Sequence, residues 1–205
     1  RRGTTDDRAD LSLDDRPAAM STRIGINGFG RIGRLVVRAL REHSELELVH
    51  VNEAFADVAT ASHLLEFDSV HGRYGGTVSV SDGQLQIDGA PVGYSSIASP
   101  GDVPWHAADV DIVLECSGKF RTAELLAPYF DRGVRTVIVA APVKDESVLN
   151  IVMGCNDHLY DPAVHHVVTA ASCTTNCLAP VAHVLHEVIG IEKGMMTTIH
   201  SYTGD

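Results

Sequence analysis

The chain has 205 residues, 44% hydrophobic and 21% charged, a globular composition that excludes disordered and collagen-like proteins. Its 16 Lys and Arg against 27 Asp and Glu give a net charge of −11, which argues against nucleic acid as the main partner. Four cysteines are too few for a disulfide-built domain. No apolar run approaches the roughly 20 residues that cross a membrane, so we expect a cytoplasmic protein.

The first segment, residues 1–20, mixes charges of both signs and contains no aromatic side chain. Such a segment cannot bury a core, and we expect a disordered tail. It also lacks the apolar stretch of a secretory signal.

From Thr22 onward, strand and helix patterns alternate along the chain. Hairpin turn signals at Asp82-Gly83 and Asp88-Gly89 mark an antiparallel insert within residues 77–95. The alternation predicts an α/β fold with a Rossmann-type doubly wound dinucleotide-binding domain over residues 21–170. We expect strands at 23–27, 46–51, 112–114, 136–140, 150–153 and 166–169, and helices at 31–42, 57–67 and 122–130.

Residues 171–205 open a second pattern, which breaks off at the end of the sequence. Apolar spacing predicts a helix around residues 178–188, followed by a strand at 195–199. We expect this part to be the incomplete beginning of a further domain.

A glycine-rich motif joins the first expected strand to the first expected helix, which is the context of a dinucleotide-binding turn. Its first glycine permits a tight turn, its second lets the backbone approach a pyrophosphate, and its third allows close packing. Glu53 lies twenty residues after the motif, where a carboxylate accepts a bond from the ribose 2′-hydroxyl and favours NAD over NADP. The alternative is a plain turn with a surface glutamate. The motif consists of Gly28, Phe29, Gly30, Arg31, Ile32 and Gly33.

Cys173 lies between an expected strand and an expected helix. A cysteine at a helix start has a lowered pKa and becomes a better nucleophile. Burial in the core and a redox disulfide with Cys177 are equally open from the residues alone. A metal site would need more ligands than this pair, and we expect none.

The histidines give weaker signals. His200 ends the expected strand 195–199, and strand ends in α/β sheets are where chemistry gathers. A structural histidine is the alternative. His183 and His186 could face a metal together, but their neighbours Val184 and Leu185 look like core residues, which favours a solvated helix edge for the two histidines.

Three segments, at residues 24–34, 171–180 and 196–200, together resemble the phosphorylating glyceraldehyde-3-phosphate dehydrogenases. The resemblance covers residues 22–205 and implies an α+β catalytic domain beginning at residue 171. It also implies C-terminal truncation, a homotetramer in the full-length family, and NAD as the cofactor.

The resemblance implies a role for each matching residue. Cys173 would attack the aldehyde of glyceraldehyde 3-phosphate, and His200 would act as the base. Inorganic phosphate would then cleave the thioester to give 1,3-bisphosphoglycerate. The substrate or inorganic phosphate would be bound by Ser172, Thr174 and Thr203. The cofactor would contact Arg31 and Ile32 at its pyrophosphate, Glu53 and Ala98 at its adenosine, and Ser117 and Gly118 near its nicotinamide half.

Several positions depart from the glycolytic pattern. Glu53 stands where the family usually has aspartate, and Ala141 and Ala170 replace a serine and an asparagine. Lys119 and Val143-Lys144 are also unusual for the glycolytic enzyme, and together with residues 67–73 and 169–172 they resemble the branch that forms 1-arseno-3-phosphoglycerate from arsenate. Two alternatives remain: erythrose-4-phosphate oxidation, in which water attacks the thioester, and an inactive fragment that only binds NAD.

Overall fold

The computed structural model describes residues 21–202. The expected tail, residues 1–20, and Thr203 lie outside the described residues. The strands are β1 (Thr22–Asn27), β2 (Leu46–Asn52), β3 (Phe67–Asp68), β4 (Gly72–Arg73), β5 (Val78–Ser81), β6 (Gln84–Ile87), β7 (Ala90–Ser95), β8 (Ile112–Glu115), β9 (Thr136–Val139), β10 (Leu149–Asn150) and β11 (Val167–Thr169). The α-helices are α1 (Arg31–Leu40), α2 (Val58–Glu66), α3 (Ala123–Phe130) and α4 (Cys173–Ile189).

One nine-stranded sheet carries the fold, in the order β10-β11-β9-β8-β1-β2-β7-β6-β5. The strands from β10 to β7 are parallel, while β6 and β5 extend the sheet as an antiparallel hairpin. The chain runs outward from β1 in both directions, so the strand order reverses between β1 and β8. This confirms the predicted doubly wound α/β fold, whose ligand crevice opens at the carboxyl ends of these two strands.

Local signals account for the element boundaries. Asp57 and Thr122 cap α2 and α3, because each side chain accepts a bond from a backbone N–H three residues on. In the hairpins, Asp82 and Asp88 have φ values of 51° and each precedes a glycine with positive φ. This is the conformation of a two-residue type I′ turn, as their sequence predicts.

The core consists of apolar side chains beneath the sheet strands. One cluster surrounds Trp105, Val113 and Leu126, and a second surrounds Ile26 and Val51. All five of these side chains are at most 2% exposed. At roughly 1.5–3 kcal/mol for each fully buried large side chain, such clusters hold the strand ends in place.

The structure corrects two expectations beyond residue 170. Residues 195–199 form no strand, because no described strand lies beside them, and the side chains of Met195 and Ile199 are almost fully exposed. Helix α4 has no buried residue, so Val184 and Leu185 are not core. Alternating apolar residues show which faces can be buried, but pairing and burial need a neighbouring element.

His50 makes stability depend on pH. Burial lowers its pKa to about 4, and its Nε2 lies 2.8 Å from Ser95 Oγ. In an unfolded chain the pKa is about 6.5, so between these values only the unfolded state gains a proton. The free energy of unfolding should therefore fall by about 2–3 kcal/mol as the pH drops from about 6.5 to 4, and be unaffected above that range.

Urea denaturation of the His50→Gln variant checks this prediction. Glutamine can keep a hydrogen bond to Ser95 but does not titrate. The free energy of unfolding of the His50→Gln variant should therefore fall less steeply over the same pH range. Parallel curves for the two proteins would show that His50 does not supply this pH dependence.

Candidate functional site

The glycine-rich turn connects β1 to α1 at the centre of the sheet. Gly28 has a φ of 91°, and a Cβ placed there would lie 2.4 Å from the Ser117 backbone nitrogen. A Cβ at Gly33 would lie 2.2 Å from the Gly28 carbonyl oxygen. By contrast, a Cβ at Gly30 would meet nothing within 4 Å. The turn is thus packed tightly at its first and third glycines and open at its second, as close approach of a pyrophosphate requires.

Glu53 ties this turn to the end of β2. Its Oε2 accepts the N–H of Phe29 at 2.7 Å, and its Oε1 accepts the N–H of Phe55 at 3.0 Å. Each carboxylate oxygen keeps a further lone-pair site for a ligand hydroxyl. Glu53 therefore fits the role of a ribose acceptor, and it also fixes the backbone of the phosphate-binding turn, which the sequence did not reveal.

A cleft of about 240 Å³ opens beside the turn. It brings together Gly28, Gly30 and Glu53 with Ala98 and Ser117, which are far apart in the sequence. Ser117 thus shares this cleft with Glu53 and Ala98, the residues expected at the adenosine. Its remaining lining residues are Asn27, Asn52, Ala54, Phe55, Ile97, Cys116, Lys119 and Phe120. Gly118 follows Ser117 in the loop and has a φ of 72°.

The start of α1 adds positive charge beside the turn. Its first backbone N–H groups have no partner within the helix and can face an anion. The Arg31 side chain forms an ion pair with Asp68. The N–H groups of His71 and Val70 lower the pKa of this carboxyl to about 2. Arg31 therefore lies near the turn, but its side chain is engaged by Asp68. Of the other motif residues, Ile32 is half exposed and Phe29 is buried.

A buried hydrogen-bonded network that the sequence did not predict lies beneath the cleft. Asn52 Nδ2 donates to Asn27 Oδ1 at 2.7 Å, and Asn27 Nδ2 donates to Glu115 Oε2 at the same distance. Tyr129 from α3 donates its hydroxyl to the same oxygen of Glu115. The available signal was a polar residue at the end of each of three central apolar strands, where a polar side chain needs a partner.

The segment before Cys173 is shaped for a sharp entry into α4. Ala171 has a φ of 54°, a left-handed conformation that costs an alanine about 1 kcal/mol or more and often marks functional sites. Ser172 caps the helix by accepting the N–H of Thr175 at 3.0 Å. Asn176 Nδ2 donates to the carbonyl of Ala170 at 2.7 Å. These contacts hold Cys173 as the first residue of the helix.

The structure brings Cys173 and His200 together across 27 residues of sequence. Cys173 Sγ lies 3.1 Å from His200 Nε2, and His200 Nδ1 lies 2.7 Å from the carbonyl oxygen of Ser201. That carbonyl can only accept, so Nδ1 carries a proton and Nε2 faces the thiol. The hydrogen bond to His200 lowers the pKa of Cys173. The pair has the geometry of a nucleophile and its base.

The other candidate residues differ from this pair in exposure and in reactivity. Ser172 and Thr174 flank Cys173 and are half buried. Burial raises the pKa of Cys116 to about 12, so its thiol stays protonated. His183 and His186 are exposed on α4. Among residues 21–202, no group of three His, Cys, Asp or Glu side chains is placed to hold a metal ion, and no helix is both long and apolar enough to cross a membrane.

Two parts of this chain match models of one protein family. Residues 22–123 match the family model described as glyceraldehyde 3-phosphate dehydrogenase, NAD binding domain. Residues 172–205 match the model of the C-terminal domain of the same enzyme. The turn, the open second glycine and the Glu53 carboxylate fit the NAD that the first description names.

Curated relatives agree over most of this chain. Glyceraldehyde-3-phosphate dehydrogenase 3 of Nostoc sp. is 59% identical over 184 residues, which cover 90% of this chain and 54% of that protein. The enzyme of Geobacillus stearothermophilus is 48% identical over 186 residues, covering 91% and 55%. The chain thus spans about half the length of these relatives. It belongs to the glyceraldehyde-3-phosphate dehydrogenase family.

Proposed function

We propose that this protein catalyses the NAD-dependent, phosphorylating oxidation of glyceraldehyde 3-phosphate. The observation that carries the proposal is the 3.1 Å contact between Cys173 Sγ and His200 Nε2 at the start of α4. The glycine-rich turn and Glu53 support it, because they provide a dinucleotide crevice in the same chain.

In the proposed reaction, His200 takes the thiol proton and the Cys173 sulfur attacks the aldehyde carbon. The protonated His200 returns that proton to the aldehyde oxygen, which gives a hemithioacetal hydroxyl, and the neutral imidazole then takes the hydroxyl proton as hydride leaves the carbon. Bound NAD would supply the acceptor for this hydride, and its loss from the carbon would leave a thioester on Cys173. A phosphate oxygen attacks the thioester carbon, and the Cys173 thiolate leaves. The proposed phosphate ligands are Ser172, Thr174 and Thr203, because hydroxyl groups bind oxyanions without adding charge.

Steady-state NADH formation in the full-length protein tests this function through its acceptor. With glyceraldehyde 3-phosphate as substrate, the rate should depend on inorganic phosphate and saturate with it. Arsenate should replace phosphate, since the two oxyanions are nearly the same size. A rate that does not depend on either anion would instead indicate water as the acceptor, as in erythrose-4-phosphate oxidation, and would contradict a phosphorylating enzyme.

The arsenate-linked role is a narrower form of the same proposal. It predicts a higher kcat/KM with arsenate than with phosphate. If the hydroxyl groups do not distinguish the two anions, kcat/KM with arsenate should equal or fall below kcat/KM with phosphate. That result would favour the glycolytic role.

We also propose the domain division that the sequence predicts, with residues 21–170 as the NAD-binding domain and 171–205 as the beginning of the catalytic domain. The left-handed Ala171 at this boundary supports it.

Six large apolar side chains of α4 are exposed, and we propose that further catalytic-domain residues cover them within a cytoplasmic homotetramer. Residues 1–205 alone should then bind NAD without turnover. These side chains are Leu178, Val181, Val184, Leu185, Val188 and Ile189.

A further inference from the structure

Glu115 is a buried carboxyl group to which the proposed reaction assigns no role. It ends β8, only 1% of its surface is exposed, and it accepts hydrogen bonds from Asn27 and Ser117, which both line the cleft. Burying a charged group is expensive unless hydrogen bonds or an opposite charge compensate it. Its surroundings therefore decide whether it carries a proton or a charge.

Four donors point at the two oxygens of this carboxyl group. Oε2 accepts from Asn27 Nδ2 at 2.7 Å and from the Tyr129 hydroxyl. Oε1 accepts from the Ser117 backbone N–H at 2.8 Å and from the Ser117 hydroxyl. An ionised carboxylate offers about four acceptor sites. The Tyr129 and Ser117 hydroxyl oxygens each accept another bond, from Asn27 Nδ2 and from the Lys119 N–H, which leaves their own protons for Glu115. The geometry thus matches the ionised form.

Tyr129 keeps the proton that it donates. Burial, followed by the charge of Glu115, raises the pKa of this phenol above its ordinary range. The same hydroxyl oxygen accepts a bond from Asn27 Nδ2 at 2.6 Å. All of the hydrogen-bonding groups around Glu115 are neutral.

No cation compensates the charge of Glu115 within residues 21–202. None of the ion pairs in that part of the chain includes Glu115. Lys119 reaches the cleft, but its ammonium group lies over the exposed Phe55 ring, 4.1 Å from the centroid. A negative charge in a low-dielectric site acts over a longer distance than one in water.

The topology places this charge under one half of the crevice. A doubly wound sheet binds a dinucleotide across its switch point, with one mononucleotide over each half. Glu53 and Ala98 follow β2 and β7, on one side of β1. Glu115 ends β8, on the other side, which leaves the nicotinamide mononucleotide for that half.

We propose that Glu115 is an ionised, cation-free carboxylate that makes this crevice favour the oxidised cofactor over the reduced one. The nicotinamide ring is positively charged in NAD⁺ and neutral in NADH, so a fixed negative charge below it stabilises the oxidised form selectively. Glu115 touches no reacting atom in this role. The proposal rests on NAD binding at this crevice, as the proposed function does.

The test compares the dissociation constants of NAD⁺ and NADH, measured by calorimetry, in full-length wild-type protein and Glu115→Gln. The Coulomb interaction of a unit charge with a charged ring in a medium of intermediate dielectric should change the ratio of the two constants by about fivefold. Glu115→Gln should therefore bind NADH about fivefold more tightly relative to NAD⁺ than wild type does. A folded variant whose ratio changes by less than about twofold would overturn the proposal.

Tyr129→Phe is the matched control, because it removes one donor to Glu115 but leaves the charge. Its ratio should stay within about twofold of wild type. An equal shift in both variants would assign the effect to lost hydrogen bonding rather than to charge, and would also overturn the proposal.

Infrared spectroscopy of the folded wild-type protein keeps the proposal testable if Glu115→Gln does not fold. With isotope-labelled glutamate at neutral pH, every glutamate should absorb as a carboxylate. A carboxylic acid band would show a protonated buried glutamate and overturn the proposal. Failure of NAD to bind at all would contradict the proposed function, while the infrared result would still decide the ionisation of Glu115.

Discussion

Replacing Cys173 with serine is expected to lower kcat for NADH formation from glyceraldehyde 3-phosphate by about four orders of magnitude. The pKa of this thiol is lowered by His200, which lies 3.1 Å from the sulfur. A serine hydroxyl ionises far less readily and cannot supply the same nucleophile. Retained turnover in the full-length Cys173→Ser protein would rule out the covalent mechanism.

Cys177→Ser is the matched control, because it removes a thiol from α4 one turn further on. Its kcat should stay within about twofold of wild type, since Cys177 has no place in the proposed reaction. Iodoacetamide labelling gives an independent readout. Cys173 should react faster than Cys177, and His200→Asn should move the rise in Cys173 labelling to higher pH. Equal labelling of the two thiols at neutral pH would contradict an activated Cys173.

Gly28→Ala is expected to destabilise the protein by about 3 kcal/mol or more and to abolish NAD binding. The φ of 91° at Gly28 is unfavourable for an L-residue with a side chain. The added Cβ would also lie 2.4 Å from the Ser117 backbone nitrogen. Backbone cannot move aside as a flexible side chain can, so β1 and β8 would have to separate at the crevice.

Gly30→Ala separates folding from binding in the same turn. A Cβ at Gly30 would meet nothing within 4 Å, and its φ of −70° suits alanine. Its free energy of unfolding should change by no more than about 0.5 kcal/mol. The methyl group should still weaken NAD binding about tenfold, because it stands where the pyrophosphate must approach.

Thermal unfolding and calorimetric titration with NAD together check both glycine variants. Tm should fall by about 6–12 °C for Gly28→Ala and stay nearly constant for Gly30→Ala. Two variants with the same Tm and the same NAD affinity would contradict the packing described for this turn.

The features predicted from sequence are those that depend on neighbouring residues. The glycine motif and the sequence separation between Gly33 and Glu53 predicted the crevice. The two Asp-Gly turns predicted the hairpins. Backbone conformations and strand–turn–helix patterns of this kind are local, so a single sequence carries them. The confirmed α/β fold class follows from the same alternation of strands and helices.

Burial and long-range contact were decided only by the tertiary structure. The apolar spacing around Leu185 predicted a packed helix, yet α4 is exposed, because burial requires a second surface to pack against. A strand at 195–199 was expected on the same reasoning and is absent, because a strand requires a partner for its backbone groups.

From its sequence alone, this protein could be identified as a dinucleotide-binding α/β chain with a candidate nucleophile, because turns, caps and motif spacing are properties of short segments. The family resemblance implied that Cys173 and His200 act as a pair, but only the structure gives their 3.1 Å contact. The tie from Glu53 to the turn and the four donors around Glu115 are likewise seen only in the structure. Each joins residues brought together only when strands, helices and loops pack. Hydrogen bonds act over about 3 Å, and only the folded chain determines which groups come that close.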